Sequence, residues 1–244
     1  MSEFTKESEF HGSAWKFYDY LKEFVYGGID GSVTTFAVVA GAMGANLDME
    51  IIIILGLANL LADGFSMSVG AYLSAKSANE RYEKHKKIEY WEIEHKRESE
   101  IEEIREIYRE KGFEGAILEK AVDVITSDKD RWVNEMMKDE LNMLPEGISP
   151  IKAGSATFVS FLVVGFIPLM VFITNYFMGW PGEYLFLIAS VMTGLAFAII
   201  GYIKSRLNHA NIYKGILETL ILGGSAAIIA YYVGFILENM LRTM

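Results

Sequence analysis

Two short stretches, "IEYWEIEH" and "SEIEE", space four glutamates as two pairs at i, i+3: Glu89 with Glu92 and Glu100 with Glu103. On one continuous helix the eleven residues between pairs are close to three turns. All four carboxylates then point the same way, with the pairs about 16 Å apart along the axis. A single ion cannot be bound by both pairs, so the spacing requires either two sites or a break in the helix. Met136 and Glu140, at i, i+4 further along, could reach across to complete a site. Carboxylate with thioether and no thiolate suits ferrous iron (Fe2+) or manganese (Mn2+), with Zn2+ and Co2+ as surrogates. The chain has no cysteine, which excludes disulfides, thiolate metal sites and iron-sulfur clusters. An acidic helix rich in E-x-x-E also reads as a plain solvated face, and the spacing leaves both readings open.

A second constellation sits in apolar surroundings. "YGGIDGSVTTF" carries Asp30 inside a hydrophobic run, and "GLANLLADGFSMSVGAYLS" sets Asn59, Asp63 and Met67 at i, i+4 and i+8, one stripe on a helix. An amide oxygen, a carboxylate and a thioether in a row could carry a partly dehydrated transition-metal ion along a helix face. Alternatively Met67 is packing, and Asn59 and Asp63 make interhelical hydrogen bonds.

The elements that must position these residues are long and apolar. Five stretches, Phe24 to Ala45, Ile51 to Ser74, Ala153 to Phe177, Tyr184 to Ile203 and Ile216 to Leu237, are almost free of charge. At about 1.5 Å per residue each can cross a hydrocarbon core of roughly 30 Å as a helix. The expected fold is an all-α membrane protein of five transmembrane helices. Residues 1–23 form an interfacial segment with no cleavable signal, 24–75 the first two spans, 76–150 a three-helix metal-binding insert, and 151–244 the last three spans. An ionised Asp30 on a lipid-facing helix would cost roughly 2.5 to 3.5 kcal/mol, so it must face a bundle interior or a wet cavity. Gly27, Gly28, Gly31, Gly41 and Gly44 in the first span, with Gly56, Gly64 and Gly70 in the second, would let Asp30 and Met67, or their copies in a dimer, approach.

The connections at 46–50 and 175–183 contain no Lys or Arg, whereas the N-terminal segment holds Lys6, Lys16 and Lys22 and the fourth connection Lys204, Arg206 and Lys214. By the positive-inside rule the N-terminus and insert are cytoplasmic and the C-terminus lies outside. Between Lys76 and Glu146 the insert holds 20 acidic and 14 basic residues, a net charge of −6 that concentrates cations locally. Within it the second span is expected to continue as one helix of about ten turns to Gly112. A short amphipathic helix follows, with Ile117, Leu118, Ala121, Val122 and Ile125 on one face. A third helix, capped by Ser127 or Asp128 and ended by Pro145, carries Trp132, Val133, Met136 and Met137.

The motifs "GGIDGSVTTFAVVAGAMGA" and "GLANLLADGFSMSVGAYLS", a Glu-rich insert and three further spans together resemble the vacuolar iron transporter family, over nearly the whole chain from Val25. The resemblance implies a homodimer of five-span protomers that exports or sequesters Fe2+, and often Mn2+, from the cytosol in exchange for protons. Its path would lie between the first two helices of the two protomers. Matched by position, the family's membrane-embedded ligands fall on Asp30 and Met67, and its insert ligands on Glu89, Glu92, Glu100, Glu103, Met136 and Glu140. Two positions depart: Asn59 stands where eukaryotic members carry glutamate, and Ala71 where many bacterial members do. Asp63, one turn from Asn59, could substitute.

The implied partners are the bilayer, a second copy, divalent ions and protons, with no nucleic acid and no organic cofactor. The implied location is the plasma membrane of a prokaryote. The reading is of a transporter rather than an enzyme. A membrane-anchored di-iron ferroxidase or iron-storage protein is the alternative, since Glu92 and His95 form one Glu-x-x-His; such a site needs the motif twice, and His11, His85 and His209 do not supply a second.

Overall fold

A computed structural model describes residues 20–145, 147–179 and 184–243, so most of the expected N-terminal interfacial segment lies outside the described residues. The described elements are all helical, with no strand among them. In chain order they are α1 (Leu21–Gly44), α2 (Met49–His95), α3 (Arg97–Glu110), α4 (Gly115–Thr126), α5 (Lys129–Glu135), a π-helical turn (Met136–Glu140), α6 (Pro150–Gly165), α7 (Ile167–Met178), α8 (Leu185–Leu207) and α9 (Ile212–Arg242). The chain divides into two compact units, Ser74–Gly147 and the residues on either side of it.

In the first unit α1, α2, α8 and α9 are each long and apolar enough to cross a membrane, and α6 with α7 makes a fifth candidate. Large apolar side chains such as Leu61, Phe65, Ile199, Ile229 and Phe235 stand exposed on these helices, as a lipid-facing surface requires. The stretch expected as one helix from Ala153 to Phe177 is instead two helices bent by 47°. Pro168 is the cause: it has no N–H for the carbonyl four residues back, and its ring crowds that carbonyl, so the ladder restarts after Phe166.

Within one chain most of the span glycines meet the later helices. A Cβ on Gly31 would lie 2.5 Å from the Phe161 carbonyl oxygen, and one on Gly44 would lie 2.1 Å from that of Tyr231. Gly56 and Gly64 face Leu169 and Phe161, and Gly70 faces open space. The close approaches therefore seat α1 and α2 on α6, α7 and α9 rather than on each other. The buried cluster Val39, Ile52, Leu60, Phe161, Leu169 and Phe172 fills the space these approaches define.

The second unit has its own core of Ile93, Ile104, Leu118, Val122, Trp132, Val133, Met136 and Met137. The single ten-turn helix expected up to Gly112 is interrupted at Lys96, which leaves helical geometry (φ −128°, ψ 32°) between α2 and α3. Ile93 and Ile104 lie eleven residues apart, about 16 Å on a straight helix. The interruption lets both enter one core, and that burial outweighs the lost helical continuity. On α4 Leu118 and Val122 are buried while Ile117 points outward at 68% exposure, so the apolar face is narrower than its sequence suggests. Of the two expected caps Asp128 is used, accepting from the Arg131 backbone N–H at 2.7 Å. The third helix does not run on towards Pro145 but widens into the π turn and stops at Glu140.

Gly31→Leu should destabilise the fold by about 1–3 kcal/mol, because the added atoms meet backbone rather than a movable side chain. Gly70→Ala should leave the thermal midpoint in detergent unchanged or slightly raised. Equal losses in both variants would contradict the packing account.

Candidate metal centre

The insert's five candidate carboxylate ligands come from three elements. Glu89 and Glu92 sit on the last turns of α2, Glu100 and Glu103 on α3, and Glu140 on the π turn. Glu89 and Glu100 are each only 3% exposed, and one oxygen of each, Oε2, is buried with no hydrogen-bond partner. Burial pushes the Glu89 carboxyl up to about 7, with Glu140, Glu100, Glu92 and Glu103 adding repulsion. Burial likewise lifts Glu100 to about 7, reinforced by Glu103, Glu92 and Glu140. Glu140 is raised by desolvation and then by Glu103 and Glu92. These mutual repulsions put all five carboxylates in one neighbourhood, which the interruption at Lys96 makes possible. Among the described residues no three His, Asp or Glu converge closely enough to hold an ion as they stand. The cluster is an open set of donors.

Met136 is fully buried in the insert core. The π turn that carries it is braced from α3 and its C-terminal end: the Tyr108 hydroxyl donates to Glu135 Oε1 at 2.8 Å, and Lys111 Nζ reaches Glu135 at 3.1 Å and Asp139 at 2.5 Å. Desolvation and the Glu135 carboxylate push the Tyr108 hydroxyl up to about 12, so it remains a donor. Glu92 is not free in this arrangement, because Lys96 Nζ donates to its Oε1 at 2.7 Å. The i, i+4 spacing of that pair is visible in the sequence, but nothing in the residue types signals the interruption beside it. His95 is turned away from the carboxylates, with Nδ1 2.8 Å from the Trp91 carbonyl oxygen and its ring stacked on Trp91.

In the membrane unit Asp30 lies on α1 and Asp63 on α2, within electrostatic reach of each other. Asp30 also lines a cleft of about 690 Å³ together with Lys22, Tyr26, Lys204 and Asn208. Asn59, Asp63 and Met67 are all half-buried, and Asn59 Nδ2 is a buried donor without a partner. Met67 packs at the margin of the apolar cluster around Phe161.

A sequence model of the VIT family matches residues 21–235. The chain is 38% identical over 226 residues to the "Vacuolar iron transporter" of Toxoplasma gondii, an alignment covering 90% of this chain and 75% of that protein. It is 30% identical over 228 residues to the protein of that name in Plasmodium falciparum, covering 91% and 83%. It is also 30% identical over 214 residues to "Vacuolar iron transporter 1" of Tulipa gesneriana, covering 87% and 85%.

The raised carboxyls fix a pH dependence. Metal needs deprotonated ligands, and groups titrating near 7 hold protons below that pH and release them above it. Mn2+ affinity of the full chain in detergent should therefore rise from pH 6 to pH 8 and then level, with up to two protons displaced per ion at the acid end. An affinity flat across that window would mean that Glu89 and Glu100 titrate at the ordinary carboxylate value.

Proposed function

Because this chain belongs to the VIT family, we propose that it moves Fe2+, and also Mn2+, out of the cytosol in exchange for protons. The observation that carries the reading is the pair of buried, unpartnered carboxylate oxygens on Glu89 and Glu100, in a unit attached to membrane-length helices. Buried carboxylates without donors need a cation or a proton, and one that serves either in turn is suited to exchange. The names of the relatives, vacuolar iron transporters, supply the metal.

In this reading the N-terminus and insert face the cytosol. Glu89, Glu92, Glu100, Glu103, Met136 and Glu140 collect the ion there, and Lys96 yields its place on Glu92 to it. Asp30 and Met67 then hold the ion within the bilayer, with Asp63 supplying the carboxylate that Asn59 does not. Two carboxylates within electrostatic reach of each other on α1 and α2 call for a positive partner, which metal and protons provide alternately. The polar stripe of α2 is only half-buried on one chain, which suits a homodimer whose second copy lines the other side of the path. The direction is the same whether the far side is a vacuole or the exterior of a prokaryotic cell.

Proteoliposomes loaded with a pH dye test this directly. Fe2+ flux by the wild type should be accompanied by proton counterflow, and Asp30→Ala should lower it at least tenfold. Glu100→Gln with Glu103→Gln should weaken metal binding more than it lowers flux. Flux that moves no protons and survives Asp30→Ala would overturn the mechanism.

A further inference from the structure

At the end of the membrane unit remote from Asp63, one side chain is left in an unusual state. Asn175, on α7, is 4% exposed, and its carboxamide Nδ2 donates to the Met49 sulfur at 3.5 Å while Oδ1 is buried with no partner. Met49 opens α2, and Met67 lies on that helix eighteen residues later, which is five whole turns. The two methionines therefore share one stripe, about 27 Å apart along the axis. Asn59, the other asparagine with a buried unpartnered side-chain atom, lies between them. Asp48 and Glu50 flank Met49 and are exposed, and residues 45–50 carry no lysine or arginine.

We infer that Asn175 Oδ1 and Met49 Sδ form a second, release-side subsite for the transported divalent metal; this rests on the transport reading above. A half-turn of the carboxamide about its last bond exchanges Oδ1 with Nδ2 and sets the oxygen where the nitrogen stands, 3.5 Å from sulfur. Zinc's bonds, about 2.0–2.2 Å to oxygen and about 2.3 Å to thiolate sulfur, set the scale: a gap of 3.5 Å is one that a single ion bridges, with the longer bond a thioether makes. An amide and a thioether also recur along α2 at Asn59 and Met67, about 12 Å apart. Neither donor is charged, so the subsite holds the ion weakly and leaves water to complete its shell. A release point needs that, since a site that binds too well stops conduction. The exposed Asp48 and Glu50 carboxylates give the departing ion a favourable potential to move into.

The test uses the full chain with Asn175→Leu and, separately, Met49→Leu, both close to the original side-chain volumes. Mn2+ is the probe, counted by electron paramagnetic resonance on protein in detergent and followed as flux in proteoliposomes. Each variant should bind one ion fewer at saturating Mn2+. Each should also lose about three- to tenfold in maximal flux while the half-saturating concentration on the insert side stays put. Wild-type ion count in both variants overturns the inference, whether flux is normal or slowed, because slowed flux alone would make Asn175 an interhelical tie. If the wild type itself carries no metal, the transport reading fails instead, and the two failures are told apart by that control.

Discussion

A carboxylate oxygen withdrawn from water and given no donor is expensive unless something positive arrives, and much of this molecule is organised around oxygens left in that condition. In the insert the cost is set by a hydrophobic core. Ile93, Ile104, Trp132 and Met136 draw α2, α3 and the π turn together, and Glu89 and Glu100 are carried inward with them. The acidic residues do not build the unit; they are held close in spite of their repulsion by the apolar residues one or four positions away. Lys96 relieves the repulsion at one edge by pairing with Glu92 and acting at longer range on Glu100, but the buried Oε2 atoms of Glu89 and Glu100 have no hydrogen-bond donor.

The membrane unit meets the same difficulty by other means. Its glycines allow α1 and α2 to lie against α6, α7 and α9 at backbone distance, so the apolar faces are satisfied within the unit. The stripe bearing Asn59, Asp63 and Met67 is thereby left only half covered, and Asp30 keeps a cleft on its own side, shared with Lys22 and Lys204. Tight packing in one direction is what leaves the polar face available in another.

Much of this was legible in the residues. Five stretches almost free of charge mark the candidate spans, because hydropathy over some twenty residues is a summed property that no single contact overrides. The candidate ligands were legible as types and spacings. Breaks were harder. Pro168 was in plain view within the third span, but a proline in a membrane helix can be absorbed by neighbours, so its presence does not fix a bend. The interruption at Lys96 has no glycine or proline behind it and arises from a tertiary preference, two isoleucines entering one core. The π turn at Met136–Glu140 is equally silent in sequence, since an α-helix would show the same apolar spacing. The close approaches of glycines such as Gly31 and Gly44 are legible in the composition, but their neighbours on α6 and α9 are not, since one-dimensional spacing does not say which helix comes close.

The bend at Phe166 acts as a lever. Asn175 stands nine residues beyond it, about 13 Å of helix. Over that arm, a deflection of 47° displaces the side chain by about 10 Å from where a straight helix would have put it. A shift of that size would take the carboxamide out of reach of the Met49 sulfur it now touches. A ring that merely withholds one hydrogen bond within the broken helix pair thus decides which side chains meet at the end of α7.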